Sequence, residues 1–597
     1  MFTTAGKETS LLGIGTSDTQ QNTITLENKS MIALIKDTAK LLELHGANAF
    51  QIRHYNNAAM GLEKVRQEIA ELSPTALNSL MEGLQSSTNK LIQEINTTGT
   101  LQRWEELTAA TPQGVQEMLT LRGIGPKKVG AVWQTLGITN LTALLRACKE
   151  GKIAQLPGFG KKTQQTIQES IAFRDKQAGR FHYASVLPYA TDLKTQLKQA
   201  FPALLISFTG ALRRKMEVVE QVAILISTEP PEQVPAVMQW LDQQPMLQKT
   251  SELSGPFSWR GHFSELSLKL TILFCETHLF YKQLILQTGS AAHLALPIYE
   301  SKQLGEVVDS ITEATSEAAI YKQVALTYIP PELREGKIEL AWARERGHPR
   351  LLDMQDLRGV FHSHTTYSDG KHSLEEMARH CKDLGYEYVG ITDHSQQAIY
   401  AGGLTPEDIQ QQHVEIDHLN KVLAPFRIFK GIEADILGDG QLDYSDDVLA
   451  RFDFVIASVH TGMNMDEHKA TTRLITAIRN PYTTMLAHPT NRLLLKREGF
   501  PIDYRAVIDA CAQHGVIIEI NANPWRLELD WRWVDYALSK KVWISINPDA
   551  HDTTSIQNMY YGVCVGRKGG LTQPHTFNTL SREEIVTYFQ HRRKALK

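Results

Sequence analysis

Charge of one sign, paired cysteines and long apolar runs are all missing from this chain of 597 residues, and each absence excludes a class of protein. Lys+Arg 62 against Asp+Glu 66 gives 62 − 66 = −4, so the chain is no global polycation and any nucleic-acid surface has to be local. The five cysteines, Cys148, Cys275, Cys381, Cys511 and Cys564, lie far apart and form no CxxC pair. That excludes a disulfide scaffold and points to a reducing compartment. No run of about 18 uncharged apolar residues occurs, so no membrane span is expected. The opening MFTTAGKETSLLGIG also lacks the apolar core of a signal peptide. The expected setting is cytoplasmic. Low complexity is confined to residues 1–24, a flexible tail rich in Thr, Ser, Gly and Gln. What is present is ordinary globular composition, 42% hydrophobic and 21% charged. At about 150 residues per domain the length predicts three to five domains.

The pattern changes along the chain. Residues 25–105 and 106–182 read as helical, with apolar residues at three- and four-residue spacing in NKSMIALIKDTAKLLELHG. Residues 183–335 mix strands such as EVVEQVAILIS and SELSLKLTILF with helices such as PEQVPAVMQWLDQQ, an α+β pattern. Residues 336–356 carry dense charge behind a Pro pair and are expected to be a linker. From 357 to 597 short apolar strands alternate with helices, which favours a barrel or a doubly wound parallel sheet.

Chemistry concentrates in this last region. Its seven strand candidates are GVFHSH, YEYVGITDH, FRIFKGIEADI, FDFVIASVH, TTMLAHP, GVIIEINAN and VWISINPDAH. All but GVIIEINAN end in metal-capable side chains: His362 and His364, His394, Glu433, His460, His488, then Asp549 and His551, with Asp369 close behind the first strand. In β/α barrels, strand C-termini converge on one face and build the active site. Imidazoles and carboxylates in this number suit Zn²⁺, Mn²⁺ or Fe²⁺ better than Ca²⁺. Clustered divalent ions activate water and neutralise phosphate oxygens, so no Ser or Cys nucleophile is required. Arg492 and Arg526, in loops after two of these strands, are candidates to hold substrate phosphate. The motifs FHSHTTYSDG, GITDHS, GIEADI, IASVH, LAHPTNR and INPDAH resemble those of the PHP (polymerase and histidinol phosphatase) phosphoesterase family. The resemblance implies a distorted (β/α)7 barrel holding three divalent metal ions. One would be held by His362, His364, Glu433 and Asp549, and a second by His460 and His488 with Glu433 bridging. The third would be held by Asp369, His394 and His551.

Two further motifs stand in the helical region, LRGIGPKKVG and LPGFGKKTQQTI. Each places glycines (Gly123 and Gly125; Gly158 and Gly160) before a new helix, with lysines (Lys127 and Lys128; Lys161 and Lys162) just inside it. Glycine permits the tight turn and lets a phosphate approach the backbone N–H groups at the helix N-terminus. The pair resembles helix-hairpin-helix motifs, which grip the DNA backbone without reading sequence. Residues 101–180 carry 12 Lys+Arg and 6 Asp+Glu, a net of 12 − 6 = +6, as phosphate binding requires. With HGANAFQIRHYNNAAMGLEKV, TGALRR, QTGSAAHLAL and YIPPELREGKIE, the chain as a whole resembles the bacterial family X DNA polymerase with a C-terminal PHP domain. The resemblance makes 25–105 an N-terminal DNA-binding domain, 106–182 a tandem helix-hairpin-helix region, 183–335 a nucleotidyltransferase-like palm and thumb, and 357–597 the PHP domain.

The family pattern breaks in the palm. The resemblance implies two carboxylates alternating on one strand and a third on its neighbour, holding Mg²⁺. Here those positions carry Gln221, Ala223 and Ser267. GLQSSTNK at 83–90 also lacks the second glycine of the family's first phosphate-gripping turn. The expected protein is therefore a monomeric, metal-dependent DNA phosphodiesterase, a 3′–5′ exonuclease or 3′-end processing enzyme on gapped, nicked or 3′-ended DNA, with its polymerase activity lost. The alternatives are an active polymerase with a proofreading PHP domain, a small-molecule phosphomonoesterase, and a non-enzymatic repair scaffold.

Overall fold

The computed structural model describes residues 26–594 apart from 64, 66–68, 70–78, 80–85, 230–232, 300 and 346–348. The tail 1–24 and residues 83–85 of the 83–90 turn lie outside the described residues. The chain divides into two compact units at Ala178/Gly179. The palm and the barrel belong to one unit because their surfaces are joined by buried ion pairs, described below.

The first unit is helical. α1 (Asn28–Leu44) and α2 (Ala49–Leu62) pack with α3 (Ser86–Thr98) and α4 (Gln102–Ala110). They are followed by α5 (Gln113–Met118), α6 (Pro126–Leu136), α7 (Leu141–Lys149) and α8 (Lys161–Gln177). Gly125 is the N-cap of α6 and Gly160 that of α8, and the glycine two residues before each cap is left-handed, Gly123 at φ 76° and Gly158 at φ 79°. A Cβ on Gly123 would lie 2.4 Å from a methyl of Thr166 in α8. The first glycine turn is thus fixed against the second helix of the pair, and Lys128 reaches Thr163 at 3.4 Å.

The second unit opens with the helix Tyr183–Ala200, α9, which covers one face of a five-stranded sheet. The strands are β1 (Ile206–Phe208), β2 (Gln221–Ser227), β3 (Leu247–Lys249), β4 (Ser258–Phe263) and β5 (Leu268–Cys275), in the order β1-β2-β5-β4-β3. Side chains alternate across a strand. Val222, Ile224 and Ile226 of β2 and Leu268, Leu270 and Ile272 of β5 face the core, while Gln221, Ala223, Lys269 and Thr271 line the opposite, open face. Ser267 stands in the turn ahead of β5, and the strand register instead sets Lys269 beside Gln221 and Thr271 beside Ala223. Ser267 itself lines the same cavity as Gln221 and Ala223.

The segment 336–356 is not a linker. It contains the helix Glu339–Glu345, whose Leu340 and Ala343 join a buried core. Glu339 has no exposed surface and pairs with buried His293 at 2.9 Å. The charges just ahead of this segment are consumed in pairing. Arg213 and Arg334 both bind Glu317, Arg214 and Lys568 both bind Glu335, and Glu332 takes Lys215 and Arg567. TGALRR and YIPPELREGKIE thereby tie the palm to the barrel helix that carries Arg567 and Lys568. A buried charge survives only with such partners.

The barrel strands are β6 (Gly359–Ser363), β7 (Tyr388–Ile391), β8 (Arg427–Asp435), β9 (Phe454–Ser458), β10 (Thr483–Leu486), β11 (Ile517–Asn521) and β12 (Ile544–Asn547). All pairs are parallel and follow chain order. The first strand returns to the last, since Ala550 accepts from the His364 N–H at 2.8 Å and donates to His362 at 3.2 Å, so the sheet closes into a distorted (β/α)7 barrel. Its lumen is layered. Phe361, Phe429, Phe454, Phe577 and Phe589 plug the lower end, where the last helix, Arg582–Lys594, supplies Phe589. In β8 the sequence Phe429, Gly431, Glu433 steps up the lumen. A Cβ at Gly431 would lie 2.4 Å from the Phe454 ring, so only glycine fits between the aromatic floor and the acid above it.

Candidate metal centre

The upper end of this barrel gathers all nine ligand candidates named from the sequence. Glu433, at the end of β8 and 1% exposed, is the hub. Its carboxylate oxygens lie 2.9 Å from His394, 3.0 Å from His488, 3.2 Å from His460, 3.4 Å from His362 and 3.6 Å from His364. Asp549 lies 3.4 Å from His362 and 3.3 Å from His364. Asp369 lies 3.4 Å from His551, 3.6 Å from His394 and 3.8 Å from His364. The donor atoms fall into four tight groups: His364, Asp369, His394 and His551; His362, His364 and Asp549; His362, Glu433 and His488; His394, Glu433 and His460. The sharing differs in detail from the family pattern, because His364 joins two groups and His394 also turns towards Glu433.

Local backbone aims these side chains. His362, His488 and Asp549 have φ of 58°, 24° and 52°, a left-handed conformation that costs a non-glycine residue about 1–3 kcal/mol. The register between β6 and β7 breaks between Val360 and Ser363, which redirects His362 within β6 and His364 just after it. Strain of this kind concentrates where side-chain direction matters more than stability.

Several buried polar atoms have no protein partner: His362 Nε2, both ring nitrogens of His364, His394 Nδ1, Glu433 Oε2 and His488 Nδ1. Each costs about 1–3 kcal/mol if left unsatisfied. They converge on shared points, and a chemistry of imidazole lone pairs and carboxylates fits divalent cations. Burial, reinforced by His551 and His394, pushes His364 down to about 3, so it presents a neutral ring. Burial opposes ionisation of Glu433, but His460, His362 and His394 hold it well below the usual carboxylate range. Burial works against charge on His460 too, yet Glu433 and Asp435 bring it up to about 10.

Behind the ligands stand residues that sequence reading missed. Glu519 of β11 accepts from His362 Nδ1 at 2.6 Å, from Asn547 at 2.8 Å, from Asn521 at 3.0 Å and from the His488 N–H at 3.1 Å. Asp435 accepts from His460 Nδ1 at 2.7 Å. Asp393 collects Thr365, Ser368 and Gln412 and so fixes the loop carrying Asp369. Such carboxylate–histidine contacts set the tautomer and orientation of a ligand ring. The signal was an acid inside otherwise apolar GVIIEINAN, the one strand with no terminal ligand.

The centre opens on one side. His362, His364 and His488 are buried, whereas Asp369 and His551 keep 36% and 37% of their side chains exposed. Arg526 has its Nε 3.5 Å from Asp549 and its Nη1 2.5 Å from the Asn491 side-chain oxygen. Arg492 is bound elsewhere. Its guanidinium donates to Asp530 and to the Arg526 and Leu527 carbonyls, so it braces the loop that presents Arg526. Tyr400 is 69% exposed with its ring 6.3 Å from that of His394, and Trp525, 40% exposed, packs against His182 at 4.1 Å.

The palm's open face holds no comparable set. Gln221 and Ala223 border a cavity of about 860 Å³ whose described lining contains no Asp or Glu. Glu217 is turned away into Arg532 and Trp531, and Glu220 is exposed beside Arg180.

Comparison with known proteins matches these parts to families. Residues 361–523 match the PHP domain, 115–172 the SAM-like helix-hairpin-helix tandem and 26–101 a helix-hairpin-helix domain. The DNA polymerase/3′-5′ exonuclease PolX of Bacillus subtilis is 33% identical over 576 residues, 95% of this chain and 100% of that one. This chain belongs to the PolX family. As a PolX-family protein with a PHP domain it is an enzyme, and the front helices of the family are those described above. A probable phosphatase of Acetivibrio thermocellus is 34% identical over 166 residues, 27% of this chain and 63% of its own length. The solved ternary P/T complex of Leishmania infantum polymerase beta aligns with 37% of this chain and 98% of its own at 17% identity, with a TM-score of 0.22.

Proposed function

We propose that this PolX-family chain is a metal-dependent phosphodiesterase that processes DNA 3′ ends, with 3′–5′ polarity, and that its palm no longer adds nucleotides. The observation that carries the reading is the buried Glu433 ringed by five imidazoles, of which His362 Nε2, His364 Nε2 and His394 Nδ1 face it without a hydrogen-bond partner. His362, His364, Asp369, His394, Glu433, His460, His488, Asp549 and His551 would hold three divalent ions, Mn²⁺ or Zn²⁺, with Fe²⁺ an alternative. Bound there, such ions supply an activated water and neutralise the phosphate oxygens as charge develops.

The chain's own residues do the rest. Glu519 and Asp435 keep His362 and His460 in the orientation and tautomer that direct Nε2 inward. Arg526 holds a non-bridging phosphate oxygen, and Tyr400 offers a face to the terminal base. The glycine turns at Gly123, Gly125, Gly158 and Gly160, with Lys127, Lys128, Lys161 and Lys162, take DNA phosphates, which anchors the strand without regard to sequence. In the palm, a neutral Gln221 and an Ala223 with no donor atom supply no charge for Mg²⁺, which supports the loss of nucleotide addition.

The test is digestion of a 5′-labelled primer-template with Mn²⁺. The wild type shortens the primer from its 3′ end, and His362→Ala, His364→Ala reduces the rate by at least about a hundredfold. Equal rates would sink the proposal. Sustained primer extension by the wild type with nucleotides and Mg²⁺ would refute the silent palm. Hydrolysis of a small phosphomonoester alone, with DNA untouched, would move the chain to the reading of its phosphatase relatives.

A further inference from the structure

The cavity over the palm sheet is lined differently from a two-metal site, and its lining has its own chemistry. Four strands contribute side chains to one open face. The register runs Gln221 beside Lys269, Lys269 beside His262, and His262 beside Gln248; one step up, Ala223 lies beside Thr271 and Thr271 beside Arg260. Two basic side chains, Lys269 and Arg260, therefore line a cavity of about 860 Å³ with no acidic residue in its described lining. His262 binds Gln248 at 2.9 Å and Thr271 donates to Gln221 at 3.3 Å, so the neutral polar groups satisfy one another and leave the cations facing the space. Leu253, 58% exposed, forms part of the wall and gives it an apolar side. The volume is within the range of small-ligand sites, about 300–1,000 Å³.

Lys269 occupies the strand position directly across from Gln221. An ammonium there supplies positive charge without any carboxylate-held ion, and Arg260 adds a planar fork suited to phosphate oxygens. Resting on the reading that the palm holds no catalytic Mg²⁺, we propose that this cavity is a metal-independent binding site for nucleotide phosphate, held by Lys269 and Arg260. The phosphate belongs either to a free nucleoside triphosphate or to a single-stranded DNA tail.

The experiment uses the full chain in EDTA. Binding of dATP is measured by calorimetry, and binding of a short oligo-dT by fluorescence anisotropy across a salt series. Lys269→Ala, Arg260→Ala should weaken the ligand by about tenfold per cation, while Lys269→Arg retains binding. If the source is single-stranded DNA, the salt slope of oligo-dT binding falls by about 0.7 per cation removed. If it is a free nucleotide, the dATP heat disappears and the oligo-dT slope stays. Gln221→Asp, Ala223→Asp should weaken binding in EDTA and recover it on addition of Mg²⁺, because the new carboxylates compete with phosphate until an ion bridges them. Thermal melts of each variant exclude unfolding as the cause. The proposal is overturned if the wild type binds neither probe in EDTA, or if the double alanine variant, folded as wild type, binds both unchanged. Mg²⁺-dependent primer extension by the wild type would refute the silent palm itself; its absence together with no EDTA binding refutes only this site.

Discussion

Glu519→Gln separates a residue that tunes the centre from one that only fills the barrel. Glu519 makes no direct contribution to the ligand set, yet its Oε2 lies 2.6 Å from His362 Nδ1 and 2.8 Å from the Asn547 amide. Glutamine keeps the shape and removes the charge. The bond from His362 to a carboxylate is worth about 1.5–3 kcal/mol, which converts to about 10- to 150-fold in affinity. Because the carboxylate also raises the basicity of the ring, the loss falls on metal affinity first. The assay is a Mn²⁺ titration of 3′-end digestion. The half-saturating Mn²⁺ concentration should rise about 10- to 100-fold, with most of the rate recovered at high Mn²⁺. An unchanged Mn²⁺ dependence with only a lower melting temperature would refute the reasoning and leave Glu519 as a packing residue.

Other perturbations follow from the same contacts. Lys127→Ala, Lys161→Ala should weaken duplex binding about equally for unrelated sequences and reduce the salt slope by about 0.9 per lysine, measured by anisotropy; a sequence-dependent loss would contradict backbone grip. Arg526→Ala should raise KM for DNA with little change in melting temperature. Arg492→Ala should instead destabilise the fold, because two carbonyls lose their donor and Asp530 keeps only Arg532, a loss of about 1–3 kcal/mol; the reverse pattern would exchange the two roles. Burial alone would raise the pKa of Glu317, but Arg213 and Arg334 outweigh it and hold the carboxyl below the usual carboxylate range. Glu332 is held down in the same way by Lys215 and Arg567. A depressed folded-state pKa gives stability that is complete above the unfolded value and lost as pH falls through the folded one. Melting temperature should therefore decline steadily as pH drops below about 4.5, and a flat profile would contradict the buried pairs.

Much of the fold is legible in the sequence because its signals are local. The seven barrel strands are short apolar runs, each bounded by turn residues, and the helix-hairpin-helix turns announce themselves by glycines that the structure holds at positive φ. The nine ligand candidates are legible because strand ends converge in a barrel, so position along each strand stands in for position in space. What sequence did not reveal depends on pairing between distant segments. Arg492 reads as a free arginine until Asp530 and the Leu527 carbonyl are brought to it. The helix Glu339–Glu345 reads as a linker because its Glu339 is paired with His293, far away in the chain. Glu519 went unnoticed since its strand runs out in asparagines and carries no terminal ligand candidate to draw attention to it.

Metal content is the most direct test of the central claim. Elemental analysis of the purified full chain after Mn²⁺ loading and removal of loose ions should find close to three ions per chain, and fewer in Asp369→Ala, with the remaining ions retained. A wild-type chain that holds no tightly bound divalent ion, yet digests DNA at full rate in chelator, would contradict the account.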